Sequence, residues 1–312
     1  MERKTLERKV PTLSLDDYLI GSEWECLNFI DALRDGLEEY GFVILKDHLI
    51  LQETLSQAYT YAREVFDLPT QVKMKYWDAE NYGSRGYLPY KVEHSENNHN
   101  PDLKECWHIG RDRQVLGKYS HILAPNVFPK EVPEFKPVFQ DLYKAMEDTA
   151  HVVLEALALA LGYRISYLSE MVLGGSSLLR PIYYPPVKNE GDTQSVRAAA
   201  HGDVNLITLL VNATDSGLQL LDKDGTWLDV NAPPGHIILS TGDMLERITE
   251  GRIPATIHRV INPPDDTSTR YSMPFFVHPQ PEVVLKSSKH PDITAGDFLL
   301  KKLKKIGFKK DK

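Results

Sequence analysis

The sequence lacks several features that define whole classes of protein. It has only two cysteines, Cys26 and Cys106, among 312 residues, too few for a disulfide-stabilised scaffold and typical of a reducing compartment. No apolar run approaches the ~20 residues that a transmembrane helix needs. The charged N-terminus has no apolar leader segment either. We therefore expect a cytoplasmic protein that does not engage a membrane.

An excess of basic residues is also missing. The formal net charge is -8 and the pI is about 5.8, whereas nucleic-acid-binding proteins usually carry a basic face or stripe. Seven lysines in the last twelve residues are the exception, and we interpret them as the solvated face and C-terminal end of a final helix. Contact with an acidic partner or membrane surface is the alternative. No glycine-rich phosphate-binding loop opens a βαβ unit, which argues against a nucleotide-binding alternating fold.

The composition that remains is that of a globular chain, 42% hydrophobic and 26% charged, long enough for a sizeable core. Ser22 and Glu25 form a capping box ahead of a helical apolar pattern that runs to Tyr40. A buried strand is expected over residues 42–45. Further helices are predicted over residues 51–66, 137–161 and, after Thr294, near the C-terminus.

The C-terminal half changes to short β-rich runs broken by turn residues, typical of a sandwich or jelly roll. Residues 78–130 are instead rich in Asn, Gly, Pro and His, and we interpret them as an irregular lid or substrate loop. Their scattered His and Glu residues match no compact metal motif. Eight strands are predicted, over residues 178–184, 197–201, 205–212, 218–221, 226–230, 236–240, 256–261 and 271–277.

One stretch carries a metal-ligand pattern. His201 and Asp203 are separated only by Gly202, and side chains two apart in an extended strand point to the same face. The pair could instead end a strand and begin a turn, so it is not specific alone. His258 offers a third ligand in another strand-like run. Two histidines and one carboxylate form the facial triad that holds non-haem Fe(II) with open coordination positions.

A second polar pair follows at the same spacing. Arg270 and Ser272 lie two apart in a β-like run, so a guanidinium and a hydroxyl share one face of the strand. The paired N–H groups of arginine match the two oxygens of a carboxylate. An iron site beside a carboxylate anchor predicts a site for a chelating organic acid.

Six motifs, in order along the chain, support a family resemblance. The chain resembles the isopenicillin N synthase-like branch of the Fe(II)- and 2-oxoglutarate-dependent dioxygenases over nearly its whole length. The resemblance implies a mainly β fold with flanking helices around a double-stranded β-helix, a jelly roll of the cupin kind. The motifs are Tyr183–Pro186, His201–Asp203, Gly217–Leu220, Gly242–Leu245, Ile257–Pro263 and Arg270–Phe276.

The resemblance also implies how the chain is divided. Residues 1–170 are expected to form the N-terminal helical and mixed region, and residues 171–285 the jelly-roll core for Fe(II) and 2-oxoglutarate. Residues 286–312 are expected to form a C-terminal helix with a basic tail. The three segments would make one integrated structural domain.

In activity, the resemblance implies an oxidoreductase. His201, Asp203 and His258 would hold Fe(II), and Arg270 with Ser272 would bind 2-oxoglutarate as co-substrate. The enzyme would use O2 to hydroxylate, desaturate or cyclise a small organic molecule, with release of succinate and CO2.

The resemblance leaves some roles open. Tyr184 matches a family tyrosine that contacts 2-oxoglutarate, or it is a core tyrosine, while Ile182 replaces the asparagine common in plant members. Tyr87 and Lys104 are candidate substrate contacts, because the corresponding family region borders the active-site mouth. An oxidase that needs no 2-oxoglutarate and a catalytically silent binding module are the alternative functions. The sequence leaves the primary substrate and the oligomeric state undetermined.

Overall fold

A computed structural model describes residues 8–79, 84–94, 100–112, 118–120, 124–186, 195–211, 213–262 and 268–305. Among these residues, none of the helices combines the length and apolarity needed to cross a bilayer. The helices are α1 (Leu15–Leu19), α2 (Glu23–Tyr40), α3 (Gln52–Phe66), α4 (Thr70–Lys73), α5 (Phe135–Ala160), α6 (Tyr167–Val172), α7 (Asp243–Ile248) and α8 (Ala295–Lys305).

The strands form a large sheet, a four-stranded sheet and a small hairpin. Those of the N-terminal half are β1 (Thr12–Ser14), β2 (Phe42–Lys46), β3 (Gly86–Leu88) and β4 (Glu105–Gly110). Those that follow are β5 (Leu178–Leu179), β6 (Ile182–Tyr184), β7 (Ala198–His201), β8 (Ile207–Val211), β9 (Leu218–Leu221), β10 (Trp227–Asp229), β11 (Ile237–Thr241), β12 (His258–Val260), β13 (Arg270–Val277), β14 (Val284–Leu285) and β15 (Ile293–Thr294).

The large sheet has the order β1-β2-β11-β8-β13-β5-β4-β3, and β6 pairs with both β13 and β4. The smaller sheet has the order β10-β9-β12-β7. An apolar cluster that includes Phe42, Ile44 and Ile238 from the large sheet and Leu220 and Val260 from the small one fills the space between them. The expected jelly-roll core with flanking helices is therefore confirmed.

Both faces of the large sheet are covered, so its strands carry buried apolar side chains on both faces. Along β2, Val43 and Leu45 pack toward the helices, while Phe42 and Ile44 face the barrel interior. Strand β13 alternates in the same way: its odd-numbered residues join the helical core, and its even-numbered residues line the interior. This alternation determines which side chains reach the site.

Most predicted elements are confirmed, with shifts at their ends. The capping box is present, with Glu25 N donating to Ser22 Oγ and Ser22 N donating to Glu25 Oε2, and Gly41 ends α2 in the left-handed conformation at φ 66°. The long helix begins at Phe135, two residues before the predicted start. The strand expected over residues 178–184 is divided into β5 and β6, because Pro181 has no N–H to donate to the sheet.

The expectation for residues 78–130 was wrong in part. The described residues there include β3 and β4, and β4 joins the large sheet through β5 and β6. Glu96 and His99, two of the scattered acids and histidines, lie outside the described residues.

At the other end of the chain, Lys302 pairs with Asp243 at 2.7 Å. The lysines beyond residue 305 also lie outside the described part, so the interpretation of the basic tail stays a prediction.

Candidate active site

The three predicted metal ligands meet at one point. Ligand atoms of His201, Asp203 and His258 all lie within 4.8 Å of one another, and no other group of three such residues with a metal-binding arrangement occurs among the described residues. His201 ends β7 and His258 begins β12, directly opposite in the antiparallel pairing, with ring centroids 4.5 Å apart. Asp203 lies just beyond the end of β7, and its Oδ1 is 3.8 Å from His258 Nε2.

Backbone carbonyls orient both imidazoles. His201 Nδ1 lies 2.7 Å from the carbonyl oxygen of Ala199, and His258 Nδ1 lies 3.2 Å from that of Thr256. Because a carbonyl oxygen only accepts, Nδ1 carries the proton in each ring and Nε2 keeps its lone pair. A hydrogen bond of this kind fixes the tautomer that a metal-binding histidine needs.

Hydroxyl groups hold the carboxylate. Thr208 Oγ1 donates to Asp203 Oδ2 at 2.5 Å, and Ser240 Oγ lies 3.5 Å from the same oxygen. Asn205 Nδ2 donates in turn to Thr208 Oγ1 at 2.9 Å. Oδ2 is therefore engaged by the protein, while Oδ1 faces His258.

The electrostatics of the triad suit a metal. Burial is the main cause that lowers the pKa of His201 to about 4, and the neighbouring His258 lowers it further. The imidazole is therefore neutral at physiological pH, which is the form that binds a metal. Two imidazole nitrogens and one carboxylate oxygen are the donor set of non-haem Fe(II) sites, so the residues fit that ion.

Arg270 and Ser272 share the inward face of β13, as predicted, and both are buried. Arg270 Nε donates to the carbonyl oxygen of Asp215 at 3.3 Å, but Nη1 is buried and has no hydrogen-bond partner among the described residues. A buried, unpaired donor costs about 1–3 kcal/mol. Burial also lowers the pKa of this guanidinium. An incoming carboxylate would relieve both effects, so the pair fits a dicarboxylic acid.

Tyr184 lies directly opposite Arg270 in the β6–β13 pairing, with the guanidinium 5.0 Å from the ring centroid. A second buried arginine, Arg197, is 6.0 Å from the same ring. Its Nη1 donates to the Asp215 carboxylate at 3.1 Å, and its Nη2 to the carbonyl oxygen of Ser268 at 2.7 Å. The Asp215 carboxylate thus accepts from Arg197, whereas Arg270 donates only to the backbone carbonyl oxygen of Asp215.

Four charged side chains that are buried or nearly buried form a connected cluster, which we call the charged wall: Glu93, Asp102, Lys104 and Arg180. Lys104 Nζ lies 3.0 Å from Glu93 Oε2 and 2.8 Å from Asp102 Oδ2, and Arg180 Nη2 donates to Glu93 at 2.5 Å. Lys104 and Arg180 line the same cavity as the triad, Arg270 and Ser272. The candidate substrate contact Lys104 therefore reaches the site.

Tyr87, the other candidate substrate contact, is not among the residues that line this cavity. Its hydroxyl donates to Glu105, which also binds Lys73 in the core. Sequence reasoning missed Thr208 and Arg180. Each has a signal in the sequence, because each is a polar residue inside an otherwise apolar strand-like run.

Two family models match separate parts of the chain. Residues 175–279 match the family model described as 2OG-Fe(II) oxygenase superfamily. Residues 10–131 match the model described as non-haem dioxygenase in morphine synthesis N-terminal. The first match contains the triad together with Arg270 and Ser272. The second contains Glu93, Asp102 and Lys104.

Relatives and solved structures cover most of the chain. The 2-oxoglutarate-Fe(II) type oxidoreductase hxnY of Emericella nidulans is 31% identical over 291 residues, covering 86% of this chain and 82% of the relative. A 2OG-Fe(II) oxygenase family protein from Caulobacter crescentus is 36% identical with a TM-score of 0.83, covering 95% and 98% of the two chains. A full-length Neurospora crassa protein, solved in complex with alpha-KG and thymine, is 26% identical with a TM-score of 0.84, covering 95% and 96%.

Proposed function

This chain belongs to the 2OG-Fe(II) oxygenase superfamily, and from that premise we propose that His201, Asp203 and His258 bind its Fe(II) while Arg270 and Ser272 bind 2-oxoglutarate. It is an Fe(II)- and 2-oxoglutarate-dependent oxidoreductase that oxidises a small organic molecule with O2 and releases succinate and CO2. The family resemblance of the sequence is thereby confirmed. The convergence of the triad in one cavity with an unpaired, buried arginine supports the assignment of residues.

The chain's own part in the reaction begins with orientation of the ligands. Ala199 and Thr256 keep the protons on Nδ1, so both Nε2 atoms are available to the metal, and Thr208 leaves Asp203 Oδ1 free for it. Two neutral imidazoles and one carboxylate leave an Fe(II) site with one net positive charge, which attracts an anionic chelate. When bound, the iron would supply the redox chemistry with O2 and the open coordination positions at which a 2-oxo acid can chelate it.

In the same cavity, Arg270 and Ser272 would bind the distal carboxylate of 2-oxoglutarate. Nη1 of the arginine supplies a donor that has no hydrogen-bond partner in the described part of the chain, and the serine hydroxyl supplies another from the same strand face. We propose Tyr184 as a neighbour that positions Arg270 through its ring. Ile182, opposite Ser272 in the pairing, offers no polar side-chain contact.

The finer assignments rest on composition. We propose that the primary substrate is a free small molecule rather than a nucleic acid, because the chain carries a net charge of -8. Cys26 and Cys106 are free thiols, which supports a cytoplasmic location.

An anaerobic visible spectrum tests the assignment. The protein is titrated with Fe(II) and then with 2-oxoglutarate, and a weak charge-transfer band is expected only when both are present. Arg270→Ala should lose the band at 2-oxoglutarate concentrations that saturate the wild type, while Arg164→Ala, which alters an exposed ion pair, should keep it. A band that persists unchanged in Arg270→Ala would place the carboxylate anchor elsewhere, and succinate formation would measure the coupled turnover.

A further inference from the structure

The charged wall is held rigidly to an iron ligand. Asp102 Oδ1 accepts a hydrogen bond from the backbone N–H of Ala199 at 3.1 Å. The carbonyl oxygen of Ala199 in turn accepts from His201 Nδ1. Asp102 also pairs with Lys104. A group bound on the wall would therefore have a fixed position relative to the proposed iron site.

The wall is balanced in charge. Lys104 and Arg180 supply two positive charges, and Glu93 and Asp102 supply two negative charges, all on buried or nearly buried side chains. Burial would raise the pKa of Glu93, but Arg180 and Lys104 hold it well below its usual range. The same carboxylates keep the pKa of Lys104 above its usual range although burial opposes this. Glu93 and Lys104 therefore stay ionised at physiological pH.

One donor on this wall remains available. Arg180 Nε is buried and has no hydrogen-bond partner among the described residues, although Nη2 of the same side chain donates to Glu93. Because the wall is already neutral, an anionic ligand here would bring a buried charge without a counter-charge, which is costly. A neutral oxygen acceptor needs only a hydrogen bond. Apolar side chains, including Phe276, Pro274 and Leu210, also line the cavity.

We propose that the charged wall binds the primary substrate through Arg180, and that this substrate is a neutral, carbonyl-bearing compound, such as a lactam, an imide or an oxo-substituted ring. This assignment rests on the proposed function, since it places the substrate beside the iron. Phe276 and its apolar neighbours cover the rest of the compound. Glu93 acts as a positioning residue, because it holds the guanidinium of Arg180 without contacting the substrate.

The test uses the full chain loaded with Mn(II) and excess 2-oxoglutarate. Mn(II) relaxes the proton NMR signals of a compound bound near it, so the measurement needs no turnover. Thymine is the neutral probe, and benzoate is an anionic ring of similar size. We expect relaxation of the thymine protons that depends on both protein and Mn(II), and a weaker effect on benzoate.

The variant Glu93→Gln/Arg180→Gln removes one charge of each sign, so the wall stays neutral and Lys104 keeps its partner Asp102. We expect at least about a fivefold loss of the relaxation effect on thymine, from the loss of the hydrogen bond that Arg180 Nε donates. The matched control is Arg164→Gln/Glu170→Gln, which removes an exposed ion pair with side chains 60% and 53% exposed. It should bind thymine like the wild type.

The Fe(II)–2-oxoglutarate band of each variant separates the possible failures. If the wild type has no band, the proposed function fails. If the band is present and thymine is not relaxed in the wild type, or is relaxed equally in the Glu93→Gln/Arg180→Gln variant, the wall does not bind a neutral carbonyl compound. Stronger relaxation of benzoate than of thymine would overturn the neutral substrate class. If the Glu93→Gln/Arg180→Gln variant keeps the band but no longer shows relaxation of the thymine protons, the proposal is supported.

Discussion

The β3–β4 region and the jelly roll both bury charged side chains, but they compensate them differently. In the first region, Lys73 lies 2.9 Å from Glu105 and Lys104 lies 2.8 Å from Asp102. In the jelly roll, Asp203 faces two imidazoles, and Arg270 has no carboxylate partner among the described residues. The first region neutralises these charges itself. The jelly roll pairs buried Arg197 with Asp215 but leaves Asp203 and Arg270 without a partner of full opposite charge among the described residues.

The difference separates structural groups from binding groups on physical grounds. An unpaired buried charge is costly, and a ligand of opposite charge removes that cost. The open charges have opposite signs, negative at Asp203 and positive at Arg270, and both residues line one cavity. A metal cation and an acid that chelates it would satisfy both.

Removal of an open charge at the triad should have the largest effect on function. We expect Asp203→Ala to weaken Fe(II) binding by more than about 100-fold, since even the outer partners of metal ligands contribute 10- to 100-fold, and to abolish turnover. The free energy of unfolding of the apoprotein should not fall, because the variant removes a buried charge. Iron titration, oxygen consumption and urea denaturation measure the three quantities. Retention of iron and oxygen uptake would refute the assignment of the ligand.

Removal of the positive charge at Arg270 should weaken the binding of 2-oxoglutarate. Arg270→Ala is expected to raise the apparent KM for 2-oxoglutarate by about 100- to 1000-fold, in the range found when one partner of a buried, hydrogen-bonded charge pair is removed. Fe(II) affinity should be unchanged, because the variant leaves the triad intact. Steady-state kinetics with succinate as the product checks this, and an unaltered KM would contradict it.

Removal of one member of a buried ion pair should instead lower stability and leave ligand binding unchanged. Glu105→Gln removes the counter-charge of buried Lys73, and we expect the free energy of unfolding to fall by about 3 kcal/mol. Affinities of the folded protein for Fe(II) and 2-oxoglutarate should stay the same. Glu170→Gln, at an exposed ion pair, is the control and should change stability by less than about 1 kcal/mol. Urea denaturation and 2-oxoglutarate titration measure the two quantities. A loss of 2-oxoglutarate affinity in Glu105→Gln would contradict a purely structural role for this ion pair.

His278 extends the comparison to a buried group that stays uncharged. Burial lowers its pKa to about 4, below the value near 6.5 of an unfolded histidine. Between these values the unfolded chain binds more protons, so stability falls as the pH decreases from 6.5 toward 4. Of the stability lost between pH 7.5 and pH 5, about 2 kcal/mol should come from this residue.

The variant His278→Leu isolates that contribution. Its free energy of unfolding, measured by denaturation at both pH values, should fall less than that of the wild type by about the same 2 kcal/mol. An equal pH dependence in both proteins would show that the buried histidine does not titrate as described.

The site could be predicted from the sequence where its residues are close in the chain or, as for His258, where they lie in a strand-like run that matches a family motif. His201 with Asp203, and Arg270 with Ser272, lie two residues apart, so the geometry of an extended chain places each pair on one side. Glu93, Asp102 and Arg180 come from separate segments, and the contacts among them depend on β4 pairing with β6. No local pattern in the sequence shows that pairing.

The same distinction holds for the fold. The capping box at Ser22 is a local feature, and it was predicted from the sequence. The entry of β3 and β4 into the large sheet is not local, and residues 78–130 were interpreted as irregular because they are rich in turn residues. The division at Pro181 follows from its missing N–H, a local signal that the prediction overlooked.

The position of β2 inside the large sheet has a consequence for folding. β2 pairs with β11 of the jelly roll, and Thr241 Oγ1 donates to the carbonyl oxygen of Gly41, 200 residues away in the chain. Contacts between such distant residues are slow to form, because loop closure must precede the gain in energy. During synthesis, β2 leaves the ribosome long before β11, so the two strands cannot pair until the later one has been made. We therefore expect refolding on a timescale of milliseconds to seconds or slower, and no independent folding of a fragment that begins after β2.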